Sequence, residues 1–428
     1  MSAAELTVGE IKNKRILYLV FATITLLVLG LIYAWSIFAT PLGKAFGDYG
    51  PQLPQVFQVS MFAFCLSALI GSQIVRRRSA KASIILAAIL MAIGFTLTAL
   101  FAGVSIWVLF ICYGILAGSG VGIGYNAIIS LINPWFPDRI GLASGVMMMG
   151  FGISALVFGS LAEFLFGAMK EDWYLVFIMI AVVAFVVMFL LAFIAKPAPK
   201  DIGSKLGIVS VATEAKTSST QQGFILKSRT FWVYSIWSVF VVACGLTLIG
   251  TAKQGALALN LDTAISVGFP ALLVGLVSTM NGLSRILNGA IFDRIGLLPV
   301  MLIASAACFA CMAGLALSLS LSIGPLYIVA AILVAFSYAA CPVMGAAFAR
   351  QRFGSQKFPS NLSIINCNIA VAAVINIVIV ALLGPPYADN APLIYGILAG
   401  LAVVAFVATL VFGKLYKADL AVIEKELS

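Results

Sequence analysis

Residues 173–195 read WYLVFIMIAVVAFVVMFLLAFIA, twenty-three positions without one charged side chain. As a helix rising 1.5 Å per residue this stretch is about 35 Å long, enough to cross a hydrocarbon core about 30 Å thick. A helix on the surface of a soluble domain keeps a polar face, and this one has none, so its solvent is lipid or protein on every side. Directly after it the composition changes. Residues 196–228 are rich in Lys, Ser, Thr and Gly and read as a flexible linker.

Working outward, comparable apolar runs fall near 16–40, 54–75, 81–103, 106–132, 139–167, 229–255, 267–292, 297–320, 325–349, 359–384 and 391–415. The chain is 63% apolar and 9% charged, against about 25% charged for a soluble protein. The expectation is an all-α membrane protein with twelve transmembrane helices in two pseudo-symmetric six-helix bundles. Residues 1–195 and 229–428 form the bundles and 196–228 the linker between them. No small-residue cleavage site follows the first apolar run, which is read as a retained helix and not as a signal peptide.

The net charge of +10 reports topology. With the N-terminus in the cytoplasm, 21 of the 25 Lys and Arg residues fall on that side, including Arg76, Arg77, Arg78 and Lys81. Lys44, Lys170 and Lys253 fall on the other. This is the positive-inside pattern; it places both termini in the cytoplasm of a multi-pass protein of the cell (inner) membrane. The basic clusters are accounted for without nucleic acid. One basic residue remains, Arg285, in the middle of the eighth run. Of the 15 acids none lies at mid-membrane; Glu163 comes closest, about one turn from the end of the fifth run.

The seven cysteines all lie within apolar runs and read as small packing residues. Cys308 and Cys311 form a CxxC without a His or carboxylate nearby, so neither a metal nor another cofactor is expected. Trp135, Phe136, Trp173 and Trp232 read as interfacial anchors. Glycines at 118, 120, 122 and 124, at 141, 145, 150, 152 and 159, and at 275, 282 and 289 are expected to let helices pack closely.

A guanidinium at mid-bilayer costs roughly 2.5–3.5 kcal/mol on insertion scales and calls for a reason. Ser278, Asn281, Arg285 and Asn288 recur at helical spacing as one polar stripe. An ion pair with Asp293, two turns away, is the structural explanation. The functional one is a substrate anion, since no carboxylate shares the membrane depth of Arg285 and guanidinium grips carboxylate with two hydrogen bonds. Tyr33, Tyr125, Asn126, Phe336, Ser337, Tyr338, Asn366, Cys367 and Asn368 are the other polar or aromatic residues at depth. Each serves equally well for substrate contact or for interhelical packing.

The absences narrow the chemistry. The sequence has no His, which removes an imidazole relay, and no phosphate-binding loop for ATP-driven pumping. No acid, base and nucleophile meet at depth, so an enzyme is not expected. A non-transporting membrane sensor is the reading from another class, and the extramembrane segments are too short for its usual soluble domain.

Two motifs carry a family resemblance. Gly289, Asp293, Arg294 and Gly296 form a loop pattern whose first-half counterpart, Gly71 to Arg78, has Val75 in place of the acid. This resembles the loop motif of the major facilitator superfamily. Residues 133–145, NPWFPDRIGLASG, resemble the loop between helices four and five in its oxalate/formate antiporter and monocarboxylate transporter group. The resemblance implies that Arg285 binds substrate carboxylate and that Tyr33, Tyr125 and Tyr338 are aromatics around it. Three departures refine it. Residues 366–368 read Asn-Cys-Asn where the oxalate carrier has a Lys. Asn281 stands where animal monocarboxylate transporters have an Asp, and the first run has no Lys after Arg15.

One cation suits one carboxylate. The resulting expectation is a secondary active transporter of a small monocarboxylate (L-lactate first, pyruvate next). It works by proton-coupled symport through alternating access and functions as a monomer in the lipid bilayer. Arg285, Asn281, Tyr33, Tyr125, Phe336, Tyr338, Asn366 and Cys367 are the substrate-binding residues. A carboxylate exchanger of the oxalate/formate type is the alternative. Glu163 and Asp262, both read as solvated interface residues, are the nearest proton acceptors.

Overall fold

The structure, a computed structural model, describes residues 7–138, 140–199, 201–206, 225–353, 358–387 and 389–427. Arg139, Lys200 and most of the expected linker lie outside the described residues. Among those described, every regular element is helical, and twelve helices are long and apolar enough to cross a membrane. They are α1 (Val8–Ala45), α2 (Gly47–Arg77), α3 (Ala80–Phe101), α4 (Ile106–Trp135), α5 (Ala143–Met169) and α6 (Trp173–Ile194). After the linker come α7 (Arg229–Ala258), α8 (Phe269–Ile295), α9 (Leu297–Ser320), α10 (Gly324–Phe353), α11 (Asn361–Leu383) and α12 (Ala391–Asp419). Each of the twelve apolar runs corresponds to one helix.

Small residues decide which helices meet. A Cβ added at Gly118 would come 2.6 Å from the Ser60 carbonyl, and one at Gly122 would come 2.1 Å from the Phe64 carbonyl, so α4 lies directly on α2. Gly120 meets the backbone of Ala87 and Met91 on α3 in the same way. Gly275 packs on Leu156, and Gly282 on Gly152, which brings α8 onto α5. A Cβ added at Gly289 would meet nothing within 4 Å, so the expected packing stripe ends at Gly282. Contacts between the first six and the last six helices run mainly through α2 on α11, α5 on α8 and α1 on α7.

Three central helices depart from α geometry. In α1 the segment Gly30–Ala34 tightens to 3-10 turns, while Leu109–Ala117 in α4 and Ala155–Gly159 in α5 are π-helical. Such departures concentrate at functional positions because they re-aim side chains and loosen the regular hydrogen-bond ladder. Gly30 opens the first of these segments and lets α1 approach α5: its Cβ would fall 2.1 Å from the Phe151 carbonyl.

The motif loop between α4 and α5 is a clamp at the linker face, the face on which α6 ends and α7 begins. Arg15 of α1 grips Asp138 through two nitrogens at 2.9 and 3.2 Å, and its guanidinium lies 5.2 Å from the Phe136 ring centroid. Ser144 donates to the Asn133 side chain at 3.0 Å. Trp135 corrects the expectation of an interfacial anchor: it is 1% exposed, donates to the Lys196 carbonyl at 2.8 Å and meets Tyr18 edge-on. Phe136 is also buried, whereas Trp232 is exposed as an anchor should be.

Candidate functional site

Arg285 projects from α8 at mid-length toward the first six helices. The Tyr125 phenol of α4, the Tyr33 phenol of α1 and the Tyr338 phenol of α10 are the groups that act on its guanidinium, Tyr125 most strongly. Among the described residues it forms no ion pair, and its Nε is buried without a hydrogen-bond partner. Asp293, the structural candidate for its counter-ion, is exposed. The side chain as a whole is half-buried.

The aromatic frame around it comes from five helices. The Tyr33 hydroxyl of α1 lies 3.1 Å from the Tyr338 hydroxyl of α10. The Phe151 ring of α5 meets Tyr33 edge-on at 5.2 Å and Tyr125 at 5.1 Å between centroids. Phe64 of α2 meets Tyr125 at 5.6 Å. These edge-to-face arrangements direct ring hydrogens at ring faces and hold each ring's tilt, which fixes the phenol positions. Tyr33 enters this frame from the tight segment Gly30–Ala34.

The polar stripe of α8 divides in two. Ser278 donates to the Gly152 carbonyl of α5, and Asn288 donates to the Ser284 carbonyl at 2.8 Å and the Phe336 carbonyl at 3.1 Å; both are structural. Asn281 lies between them, wholly buried, with both amide atoms lacking a protein partner. The Ser284 and Ser337 hydroxyls are also buried and unpartnered. A polar group left in this condition costs about 1–3 kcal/mol, so the neighbourhood of Arg285 concentrates unspent hydrogen-bonding capacity.

The remaining expected residues join less directly. Phe336 is half-buried, and its link to α8 runs through its carbonyl. Cys367 donates to the Ser363 carbonyl at 3.4 Å and neighbours Cys65 of α2, itself beside Tyr33 and Tyr338. Asn366 is half-buried beside it on α11. Asn126 is structural, donating to the Ala68 carbonyl at 2.9 Å. Phe64, Cys65 and Phe151 are the members that sequence reasoning missed. The signal for Phe151 was its place between Gly150 and Gly152, where helices approach.

Charge at the face opposite the linker also differs from expectation. Lys253, counted among the basic residues of that face, is 3% exposed, and its Nζ pairs with the Glu163 carboxylate of α5. Glu163 is therefore an ion-pair partner and not a freely solvated interface residue.

Comparison with known proteins gives this geometry its context. The family model of the Major Facilitator Superfamily matches residues 20–377. The chain is 24% identical over 374 residues to the uncharacterized MFS-type transporter YhjX of Escherichia coli, covering 86% of this chain and 88% of that one. It is 28% identical over 295 residues to the oxalate:formate antiporter of Oxalobacter formigenes, covering 66% of this chain and 65% of the antiporter. Over 139 residues, 32% of either chain, it is 26% identical to monocarboxylate transporter 13 of Rattus norvegicus. Among solved structures it resembles the Escherichia coli xylose transporter XylE in a partially occluded inward-open conformation. The TM-score is 0.69 at 16% identity, over 92% of this chain and 97% of that one. A fold of twelve apolar helices, a match over most of the length and a charged residue held where the two sets of helices meet lead to one conclusion: the chain belongs to the Major Facilitator Superfamily, and it is a transporter and not an enzyme.

Proposed function

We propose that this transporter carries a small monocarboxylate, with L-lactate and then pyruvate as the first candidates, by alternating access of two six-helix halves (residues 1–195 and 229–428). The observation that carries the reading is the half-buried guanidinium of Arg285, without an ion-pair partner among the described residues and framed by three phenols. A buried cation without a counter-ion is costly, and a substrate carboxylate supplies the missing charge in bidentate geometry. Asn281, with both amide atoms free of protein partners, serves a hydroxyl or keto group beside that carboxylate. Tyr33, Tyr125 and Tyr338 enclose it, while Phe336, Asn366 and Cys367 line its approach.

Proton symport is the proposed coupling. The empty carrier must reorient with an unpaired buried cation, whereas the loaded one carries a neutral pair, so return is easier when loaded or when a proton accompanies the substrate. The same asymmetry favours a second reading, carboxylate exchange, and the similarity to an oxalate:formate antiporter weighs on that side. The protein is placed in the inner membrane as a monomer with both termini cytoplasmic.

Uptake of labelled lactate into proteoliposomes tests these points together. Native protein should accumulate lactate under an inward proton gradient, and Arg285→Ala should not. Undiminished uptake by the Ala variant removes Arg285 from the site. Uptake indifferent to the gradient but driven by internal carboxylate moves the mechanism to exchange.

A further inference from the structure

Among the described residues the charged side chain buried most completely is Lys253. It lies on α7 near the end away from the linker, 3% exposed, against Glu163 of α5, whose side chain is 29% exposed. The next charge acting on it is Lys44, at the far end of α1, which repels it and leaves Glu163 as its sole compensation among the described residues.

The pair joins the first six helices to the last six, and it does so in company. Gln254 donates to the Ser36 carbonyl at 2.9 Å. Gln58 donates to the Leu246 carbonyl at 3.4 Å, and Asn376 donates to Gln58 at 3.4 Å. Tyr387 donates to the Gly50 carbonyl at 2.8 Å. All of these links lie on the face opposite the linker, between mid-span and the connecting loops. The others are neutral hydrogen bonds, which exchange for water at little net change. The Lys253–Glu163 contact is of another kind: taking Glu163 away while the face stays closed strands a buried ammonium.

We infer that Lys253 and Glu163 are positioning residues of the transport cycle, their ion pair being the latch that holds the far face shut. The inference rests on the alternating-access reading above. Opening the far face separates α5 from α7 and lets water reach both charges. Breaking the pair within a closed face has no such compensation. The two charges therefore act as one element with two arrangements, paired and closed or hydrated and open.

Spin-label distances on the full chain in nanodiscs test this. One label pair at Asp48→Cys and Thr263→Cys reads the far face, and another at Arg78→Cys and Arg294→Cys reads the linker face, with the native cysteines kept and their labelling background read from protein without the introduced pair. Native protein should show a short far-face distance. Glu163→Gln and Lys253→Met should each raise the far-open share about tenfold, because the closed state loses its charge compensation. The exchange Lys253→Glu with Glu163→Lys should restore the native distribution. Single variants with native distributions, or an exchange that restores nothing, would overturn the latch. Native far-face and linker-face distances that never change in opposition would overturn alternating access itself, a separate result. Should Lys253→Met fail to fold, Glu163→Gln keeps the side-chain shape and carries the comparison.

Discussion

The Tyr33 and Tyr338 hydroxyls lie 3.1 Å apart, so a span from each set of six helices contributes one partner to a single hydrogen bond beside Arg285. Either phenol can donate, and each leaves the other stranded if removed. Tyr33→Phe and Tyr338→Phe should each cost about 1–3 kcal/mol of substrate or closed-state stabilisation. The double variant should lose much less than the sum, since both changes break the same contact. Initial uptake rates over a range of substrate concentrations give the coupling directly; strict additivity would show that the bond does not matter to transport.

Arg285→Lys separates charge from geometry. Lysine keeps the cation but has no planar fork, and its flexible stem must be ordered for one point contact. The substrate KM should rise roughly 10- to 100-fold, as expected for losing about 1.4–2.8 kcal/mol of bidentate binding. A Lys variant with native KM would point to a non-specific electrostatic role.

Asn281→Asp would place a carboxylate one helical turn from Arg285. The new acid would pair with the guanidinium and compete with substrate, so uptake should fall at neutral pH. Protonating that acid would release Arg285, so uptake should recover as pH falls. Native protein lacks this internal competitor. A pH series of uptake for the two proteins checks the difference, and parallel profiles would refute it.

Gly152 and Gly289 make a matched pair of tests. A Cβ at Gly152 would fall 2.5 Å from Gly282 Cα, whereas one at Gly289 meets nothing within 4 Å. Gly152→Ala should therefore destabilise by about 1–3 kcal/mol through forced separation of α5 and α8. Gly289→Ala should be neutral or gain about 0.5–1 kcal/mol from helix propensity. Thermal unfolding in detergent ranks the two, and equal behaviour would show that the crossing relaxes without cost.

What could be read from the sequence follows from what one helix knows about itself. Apolar length locates each span, so twelve helices were legible, and the lone charge at mid-span picked out Arg285. Rotational facing between helices is not written in any single span. Phe151 and Cys65 look like ordinary core residues until α5 and α2 are set against α1. Lys253 sits near the end of its run, where a charge normally reaches water, and its partner Glu163 is 90 residues away. Trp135 stands where anchors stand, and only the return of the chain at Lys196 gives its indole a carbonyl to bond and takes it out of the interface. The 3-10 segment of α1 lies in close backbone contact with α5, Gly30 against Phe151, a contact that no local pattern announces.

The Gly152–Gly282 crossing acts as a fulcrum. Along an α-helix, Arg285 stands about 4.5 Å from Gly282, while Glu163 stands about 16 Å from Gly152. For a rotation of α5 against α8 about that point, the lever arm to the Glu163 backbone is roughly three times the arm to the Arg285 backbone. A swing that carries the Glu163 carboxylate out of reach of Lys253 thus displaces the binding groups by a small fraction of that distance. Access changes at the rim while the grip at the centre hardly moves.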